Sequence, residues 1–315
     1  RATGAGRGLR RTPPAAHMVG TGSPRLSNAP RSDLDRSLQL LEDQYELAQH
    51  QRLEGCAVVT GSGDSYAAAM LAPYLSPAAL YADPMDLAYT GLARALAERG
   101  CTMVAVSVGG RTRAVVEAAR AYRQAGGRVV AVTADPESPL AVTATELVTL
   151  LHAGLAEGVG AGRQLLVITA LAALLGAPKP RRPPRGRGGC PSRLYGMAYT
   201  GCCETLSTAL FTALKVYEVY GLPATWWSIE QLVHAPVYGV GDRVLVYEAL
   251  EGRERVKEVV EALREVGFEV TTVPAWGSNP VENALASHTW LLECLAESRD
   301  LPDEPSYRSH PGLER

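Results

Sequence analysis

Short, continuous apolar runs alternate along this chain with longer segments of helical periodicity. From Asp33 to His50 apolar positions recur at helical spacing behind Ser32 and Asp33, predicting an amphipathic helix. Cys56 to Thr60 (CAVVT) reads as a buried strand that runs into Gly61-Ser62-Gly63-Asp64-Ser65 and then a helix through Tyr66 and Tyr74. Ala78–Tyr81 predicts a strand, Asp83–Arg99 a helix, and Thr102–Ser107 a buried strand ending in Val108-Gly109-Gly110-Arg111-Thr112. A helix to Gln124 follows, closed by Gly126 and Gly127. Arg128–Thr133 predicts a strand, Ser138–Ala141 a turn, Leu147–Leu151 a strand, and Glu157–Leu175 a helix. Strands separated by helices in this way imply a parallel sheet with right-handed crossovers.

The pattern then restarts. Leu194–Thr200 reads as a strand, Gly201-Cys202-Cys203-Glu204-Thr205 as a turn, and the segment from Ala209 as an Ala-rich helix. Strands are predicted at Ala224–Ser228, Arg243–Glu248 and Phe268–Val273, with a charged helix at Glu254–Glu265. Asn283–Glu297 reads as a helix interrupted near His288. Between the halves, Pro178–Pro191 (PKPRRPPRGRGGCP) breaks all periodicity and reads as an exposed basic linker. The arginine-rich, acid-free start is equally aperiodic and is read as a disordered leader, with Met18 a candidate true start. The expected division is a leader (1–32), a first unit (33–177), a flexible linker (178–192), a second unit (193–300) and a C-terminal tail (301–315).

Composition narrows the function. A formal charge of −2 over 315 residues argues against a general nucleic-acid or membrane-surface role. Leu165–Leu175 is too short to cross a bilayer and reads as a core helix. With two Phe in the chain, the core must be built from Ala, Val and Leu. The six cysteines contain no C-x-x-C pair and no histidine at metal-ligand spacing. The expectation is therefore no metal site, no disulfide framework and a cytoplasmic location. Cys202 and Cys203 read either as nucleophiles or as small residues at a strand-to-helix turn.

The candidate chemistry lies between Ala209 and Pro236. Lys215 and Glu218 stand three apart on one helical face, and Glu230 and His234 stand four apart. A helical carboxylate followed by a histidine suits proton transfer at a carbon centre, and it equally suits a surface ion pair with a structural histidine. The two Gly/Ser turns, at strand carboxyl ends, are either anion sites or tight β-to-α connections.

The segments VVTGSGDSYAAAM, VAVSVGGRTRAVVEAAR and VVAVTADPESPLA resemble the sugar isomerase (SIS) domain family. The resemblance implies two tandem SIS domains, each a parallel sheet flanked by helices in a flavodoxin-like three-layer α/β sandwich. It implies a phosphosugar site in which Ser62, Ser65, Ser107 and Thr112 hold the phosphate with the backbone of Gly109 and Gly110. Gly109 stands where the family usually carries a serine, a lost hydroxyl that Arg111 could offset. Glu157 or Arg163, at the start of the next helix, could touch the sugar.

The second half is similar to the isomerase part of glucosamine-fructose-6-phosphate aminotransferases and to archaeal phosphoglucose/phosphomannose isomerases. Ala213-Leu214-Lys215, Glu218, Glu230, His234 and Pro236 carry this likeness, with Glu230 one position early and Ala235 replacing a glycine. It implies Glu218 as general base, His234 as the ring-opening group contributed across a homodimer, and Lys215 as the group that orients Glu218 or stabilises charge. No glutamine-hydrolysing segment is expected. No lysine follows Lys257, so an imine step is not implied, and His310 is the tail residue that could stand in for it. The reading is a phosphosugar aldose–ketose isomerase acting through an enediol without metal or organic cofactor. Its substrates would be glucose-6-phosphate or mannose-6-phosphate with fructose-6-phosphate. The alternatives are a glucosamine-6-phosphate deaminase/isomerase and a non-catalytic phosphosugar-binding regulator.

Overall fold

A computed structural model of the chain describes residues 29–151, 162–186, 188–298, 300–302 and 306. Helix α1 (Ala29–Gln49) precedes a first sheet of β1 (Ala57–Thr60), β2 (Ala79–Tyr81), β3 (Thr102–Val106), β4 (Val129–Thr133) and β5 (Glu146–Thr149). Its connections carry α2 (Asp64–Ala69), α3 (Ala72–Leu75), α4 (Pro84–Tyr89), α5 (Leu92–Glu98), α6 (Arg113–Gln124) and α7 (Pro139–Thr143), and α8 (Arg163–Leu174) follows the sheet. The second sheet comprises β6 (Ala198–Gly201), β7 (Thr225–Ser228), β8 (Arg243–Tyr247) and β9 (Glu269–Val273). With it come α9 (Leu206–Tyr220), α10 (Ile229–His234), α11 (Arg253–Glu265) and α12 (Pro280–Glu297).

Both sheets are parallel, in the orders β2-β1-β3-β4-β5 and β7-β6-β8-β9. The α/β architecture expected from the alternation of strands and helices is therefore present. Its cause is legible in β1, β3 and β4, whose every residue is buried, as strands covered on both faces require. Val104 and Val130 face one apolar cluster while Met103 and Ala131 face another, the two-residue alternation of a pleated strand.

The first cluster joins the two sheets: it runs from Val104 and Val130 through α8 and α12 to Leu245 and Tyr247. Helices α8 and α12 are buried nearly all round because they lie inside this shared layer, α12 even at polar positions such as Asn283 and His288. The amphipathic α6 and α11 cover the outer faces of the two sheets instead.

Several elements differ from expectation. The helix expected through Tyr66 and Tyr74 is broken into α2 and α3, with Pro73 in the first turn of α3. The helix expected over Asp83–Arg99 parts at Thr90 and Gly91, where the Thr90 hydroxyl bonds back to Asp86 O (2.5 Å). Ser138–Ala141 is not a bare turn but the start of α7, capped by Ser138 Oγ accepting from Ala141 N (3.3 Å) with Pro139 behind it. Helix α12 runs through His288 without interruption. Of the helix expected from Glu157, α8 is described; Glu157, Met18 and His310 lie outside the described residues.

The disulfide expectation is corrected: Cys56 is bonded to Cys101 and Cys190 to Cys294. Adjacent pairing of β1 with β3 brings Cys56 beside Cys101, a neighbour relation that no local spacing encodes. Cys190 lies at the end of the basic run, whose described residues form no helix or strand; Arg181, Arg182 and Arg185 are exposed, but two of them are ion-paired. Arg181 forms a two-pronged ion pair with Glu282 of α12 (2.8 Å each), and Arg185 Nε meets Glu293 of the same helix (2.8 Å). The Arg181 pairing holds Glu282 well below the ordinary carboxylate range, at about 2. These arginines are therefore neutralised along α12 rather than presented as a basic patch.

His288 is fully buried. Its Nδ1 lies 2.8 Å from Ala284 O and 3.1 Å from Thr208 Oγ1, and its ring packs on Phe211 at 4.8 Å. Burial pushes its pKa down from 6.5 to about 4. Between these two values the unfolded chain binds a proton that the folded chain refuses, so stability falls as pH falls through that window. The expected loss is about 3 kcal/mol in total. Urea midpoints measured from pH 7 to pH 4 check this, and the fall should flatten in His288→Gln.

Candidate functional site

Strands β1 and β3 are parallel neighbours, with Thr60 opposite Ala105, so the turns that follow them emerge side by side at one sheet edge. In the first turn the backbone doubles back so closely that a Cβ on Gly61 would lie 2.6 Å from Ser65 Cβ, and Gly63 adopts φ 57°. Ser62 is half-buried and Ser65 buried, and Ser65 N–H donates inward to Ser62 O (3.2 Å).

The second turn is fixed by Gly110, at φ 63° with room for no side chain: a Cβ there would meet Ser138 Oγ at 2.0 Å. Ser107 and Thr112 share a hydrogen bond between hydroxyls (3.0 Å). Gly109 is exposed with open space around its Cβ position. Arg111 is held by Asp135 (2.7 Å) on the loop after β4.

Helix α9 brings the second half to this edge. Phe211, Lys215 and Glu218 follow one another at four- and three-residue spacing on one face. Lys215 is 1% exposed, although it carries a charge. Its ammonium donates to Asp64 Oδ2 (2.7 Å) and to Glu218, and lies 5.1 Å from the Phe211 ring. Burial works against this charge, but the attraction and hydrogen bonds of Asp64 and Glu218 outweigh it and raise the pKa above the ordinary lysine value. Water reaches about a third of each carboxylate side chain (30% and 33% exposed).

Asp64 was missed by sequence reasoning. It stands inside GSGDS, between the two candidate phosphate serines, and its partner lies 151 residues away. The contact joins the first Gly/Ser turn to the helix that carries Glu218. The Lys215–Glu218 pairing expected from their spacing is present.

His234 is placed differently. It ends α10 with 70% of its side chain exposed and lies 3.7 Å from Glu230 Oε1 on the same helix. Glu230 is gripped in turn by Arg255 (3.0 and 3.2 Å), which holds its carboxyl below the usual range. Nearby, Trp226, Trp227, Ser228, Gln231 and Leu206 line an open cleft of about 480 Å³ that contains none of the candidate site residues.

Cys202 and Cys203 are free and half-buried in the turn after β6. Burial pushes Cys202 up to about 12 and Cys203 upward as well, which disfavours the thiolate a nucleophile needs. Cys203 has φ 52°, a left-handed conformation at a residue other than glycine. Among the described residues no three His, Cys, Asp or Glu side chains converge as a metal site requires, and no helix is long and apolar enough to cross a membrane.

Residues 54–174, which hold the first sheet and both Gly/Ser turns, match the SIS domain family. No curated protein matches the sequence. Among solved structures, glucosamine-6-phosphate deaminase from Thermotoga maritima superposes with a TM-score of 0.66 at 14% identity, covering 89% of this chain and 98% of its own. Tagatose-6-phosphate ketose/aldose isomerase from Escherichia coli gives 0.60 at 15% identity, covering 88% of this chain and 93% of its own. The C-terminal domain of glucosamine-fructose-6-phosphate aminotransferase from Francisella tularensis gives 0.56 at 14% identity, covering 86% and 92%. At these identities the likeness is one of fold.

Proposed function

We propose that the chain is a phosphosugar aldose–ketose isomerase that works through an enediol. Glucose-6-phosphate or mannose-6-phosphate, interconverted with fructose-6-phosphate, are its leading substrates. The observation that carries this reading is the 2.7 Å contact between Asp64 in the first Gly/Ser turn and Lys215, which also pairs with Glu218. An anion-binding turn and a carboxylate base are thereby held a few side chains apart, the separation a phosphorylated sugar chain has to span.

In the proposed reaction Ser62, Ser65, Ser107 and Thr112, with the backbone of Gly109 and Gly110, hold the phosphate. Glu218 takes the proton from C2 of the open-chain aldose and returns it at C1, while the hydroxyl proton moves from O2 to O1. Lys215 orients Glu218 and balances the charge of the enediolate beside it. His234 opens the sugar ring from a second copy of the chain, a role its 70% exposure suits better than action on its own Glu218. The second half, with strand order β7-β6-β8-β9 matching β2-β1-β3-β4 of the first, is read as a second SIS unit. The location is proposed as cytoplasmic, where hexose phosphates are made and used; the Cys56–Cys101 and Cys190–Cys294 disulfides remove the redox argument for it.

Lys215 also separates this reading from imine chemistry. An imine needs a neutral amine, and Lys215 is a buried ammonium committed to two carboxylates. This weighs against a lysine-dependent deaminase at this position. The non-catalytic phosphosugar-binding reading has its own support in the open position at Gly109 and the outward His234.

Proton NMR of fructose-6-phosphate, mannose-6-phosphate and glucosamine-6-phosphate in deuterated water decides between them. Deuterium at C1 or C2 of a hexose phosphate supports the isomerase. Binding of all three without exchange supports the regulator. A further variant tests the phosphate turn: Gly109→Ser adds a hydroxyl where there is open space and no left-handed backbone to forbid it. It is expected to tighten fructose-6-phosphate binding about tenfold, as read by calorimetry.

A further inference from the structure

Asp64 raises a question that the proposed reaction does not answer. A carboxylate inside a phosphate-binding turn repels the anion it surrounds unless its charge is already spent. Its Oδ2 receives Lys215 at 2.7 Å, while its Oδ1 is buried and has no hydrogen-bond donor. Lys215 is therefore the group that compensates Asp64, and it cannot swing wholly to Glu218 without leaving a carboxylate stranded. The ammonium is shared.

We infer that Asp64 is a positioning residue that, through Lys215, sets the strength of Glu218 as a base and ties it to the phosphate turn. The inference rests on the isomerase reading of the same site. A carboxylate facing a lysine alone is strongly stabilised in its charged form and is a weak base. A carboxylate that shares the lysine with a second carboxylate is stabilised less, so it holds a proton more readily. Asp64 thus keeps Glu218 able to accept a proton from carbon, and Lys215 keeps the turn open to phosphate.

Other ionisable groups lie on the elements packed around α9, each in an environment of its own. Glu204, just before the helix, accepts from Leu250 N–H (2.8 Å) and Asn283 (2.7 Å). His288 of α12 is kept neutral by burial, with a pKa of about 4. Tyr199 of β6 and Tyr247 of β8 are pushed above the ordinary phenol value by burial, so they too are uncharged. Burial likewise raises the pKa of Tyr66 of α2 and of Cys203 before α9. Glu282 and Glu293 of α12 are paired with Arg181 and Arg185, Arg243 of β8 is paired with Glu269, and the residues of β7, TWWS, do not titrate.

The test is the pH profile of deuterium exchange for the full chain and for Asp64→Asn and Asp64→Glu. In Asp64→Asn the acidic limb should move down by about one pH unit and kcat should fall about tenfold, with KM for fructose-6-phosphate little changed. Asp64→Glu should restore the limb. If Asp64→Asn does not fold, Asp64→Ser serves in its place. An acidic limb that stays where it is in a folded uncharged variant overturns the inference.

Carbon-13 NMR of labelled glutamate gives a readout that needs no reaction. The Glu218 carboxyl signal, assigned by its loss in Glu218→Gln, should titrate at lower pH in Asp64→Asn than in the natural chain. If no hexose phosphate exchanges, the isomerase reading falls, and the carboxyl titration still decides whether Asp64 acts on Glu218. An unmoved titration overturns the coupling.

Discussion

Glu218→Gln is expected to abolish exchange at C1 and C2 while leaving phosphosugar binding within a few-fold of the natural chain. The amide keeps the shape and one acceptor oxygen, so the Lys215 contact survives in weakened form, but it cannot take up a proton. Loss of a positioned general base costs about 10²–10⁴-fold in rate. The split matters more than the size of the loss. The phosphate groups belong to the turns after β1 and β3, whereas Glu218 belongs to α9, so binding and chemistry should separate cleanly. Single-turnover exchange in deuterated water, with calorimetry of fructose-6-phosphate on the same protein, measures both. Exchange that persists at the natural rate in Glu218→Gln would remove Glu218 as the base. Loss of binding together with exchange would place Glu218 in the substrate grip instead.

The parts of the fold that were legible in the sequence are those whose cause is local. Strands β1, β3 and β4 are buried on both faces and read as uninterrupted apolar runs, and the Lys215–Glu218 pair follows from helical spacing alone. Short elements were harder. Helix α7 spans five residues, too few for periodicity, although Ser138-Pro139 carried the cap signal that announces it. His288 looked like an interruption because a polar residue stood in an apolar run. It is accommodated because Thr208, on another helix, reaches its Nδ1 at 3.1 Å.

Long-range facts were beyond local reading for a different reason. Cys56–Cys101 depends on β1 and β3 being neighbours, and Asp64–Lys215 depends on how α9 meets the first sheet. Strand order and helix docking are set by the sum of many apolar contacts, so no window of sequence contains them. That is why the turn GSGDS could be picked out for its serines while the residue between them, which binds the two halves together, passed unnoticed.

Lys215→Met should show what that binding contributes. Methionine fills a similar volume and keeps the contact with Phe211, so the cavity cost is small. The charge is another matter: Asp64 and Glu218 would be left facing each other with no cation between them. Breaking a buried ion pair typically costs about 3–5 kcal/mol. The low end, about 3 kcal/mol, is expected here because water still reaches a third of each carboxylate. The pH dependence follows from the sign. The Lys215 pKa is raised in the folded chain, so its stabilisation is full at neutral pH and disappears only at alkaline pH, above the ordinary lysine value. In the variant, by contrast, acid relieves the strain by protonating a carboxylate, so the gap between the two proteins should narrow as pH falls. Urea unfolding of both proteins at neutral and acidic pH measures this. A gap that stays constant with pH would mean that the cost lies in packing, and that the trio does not act as a set of charges.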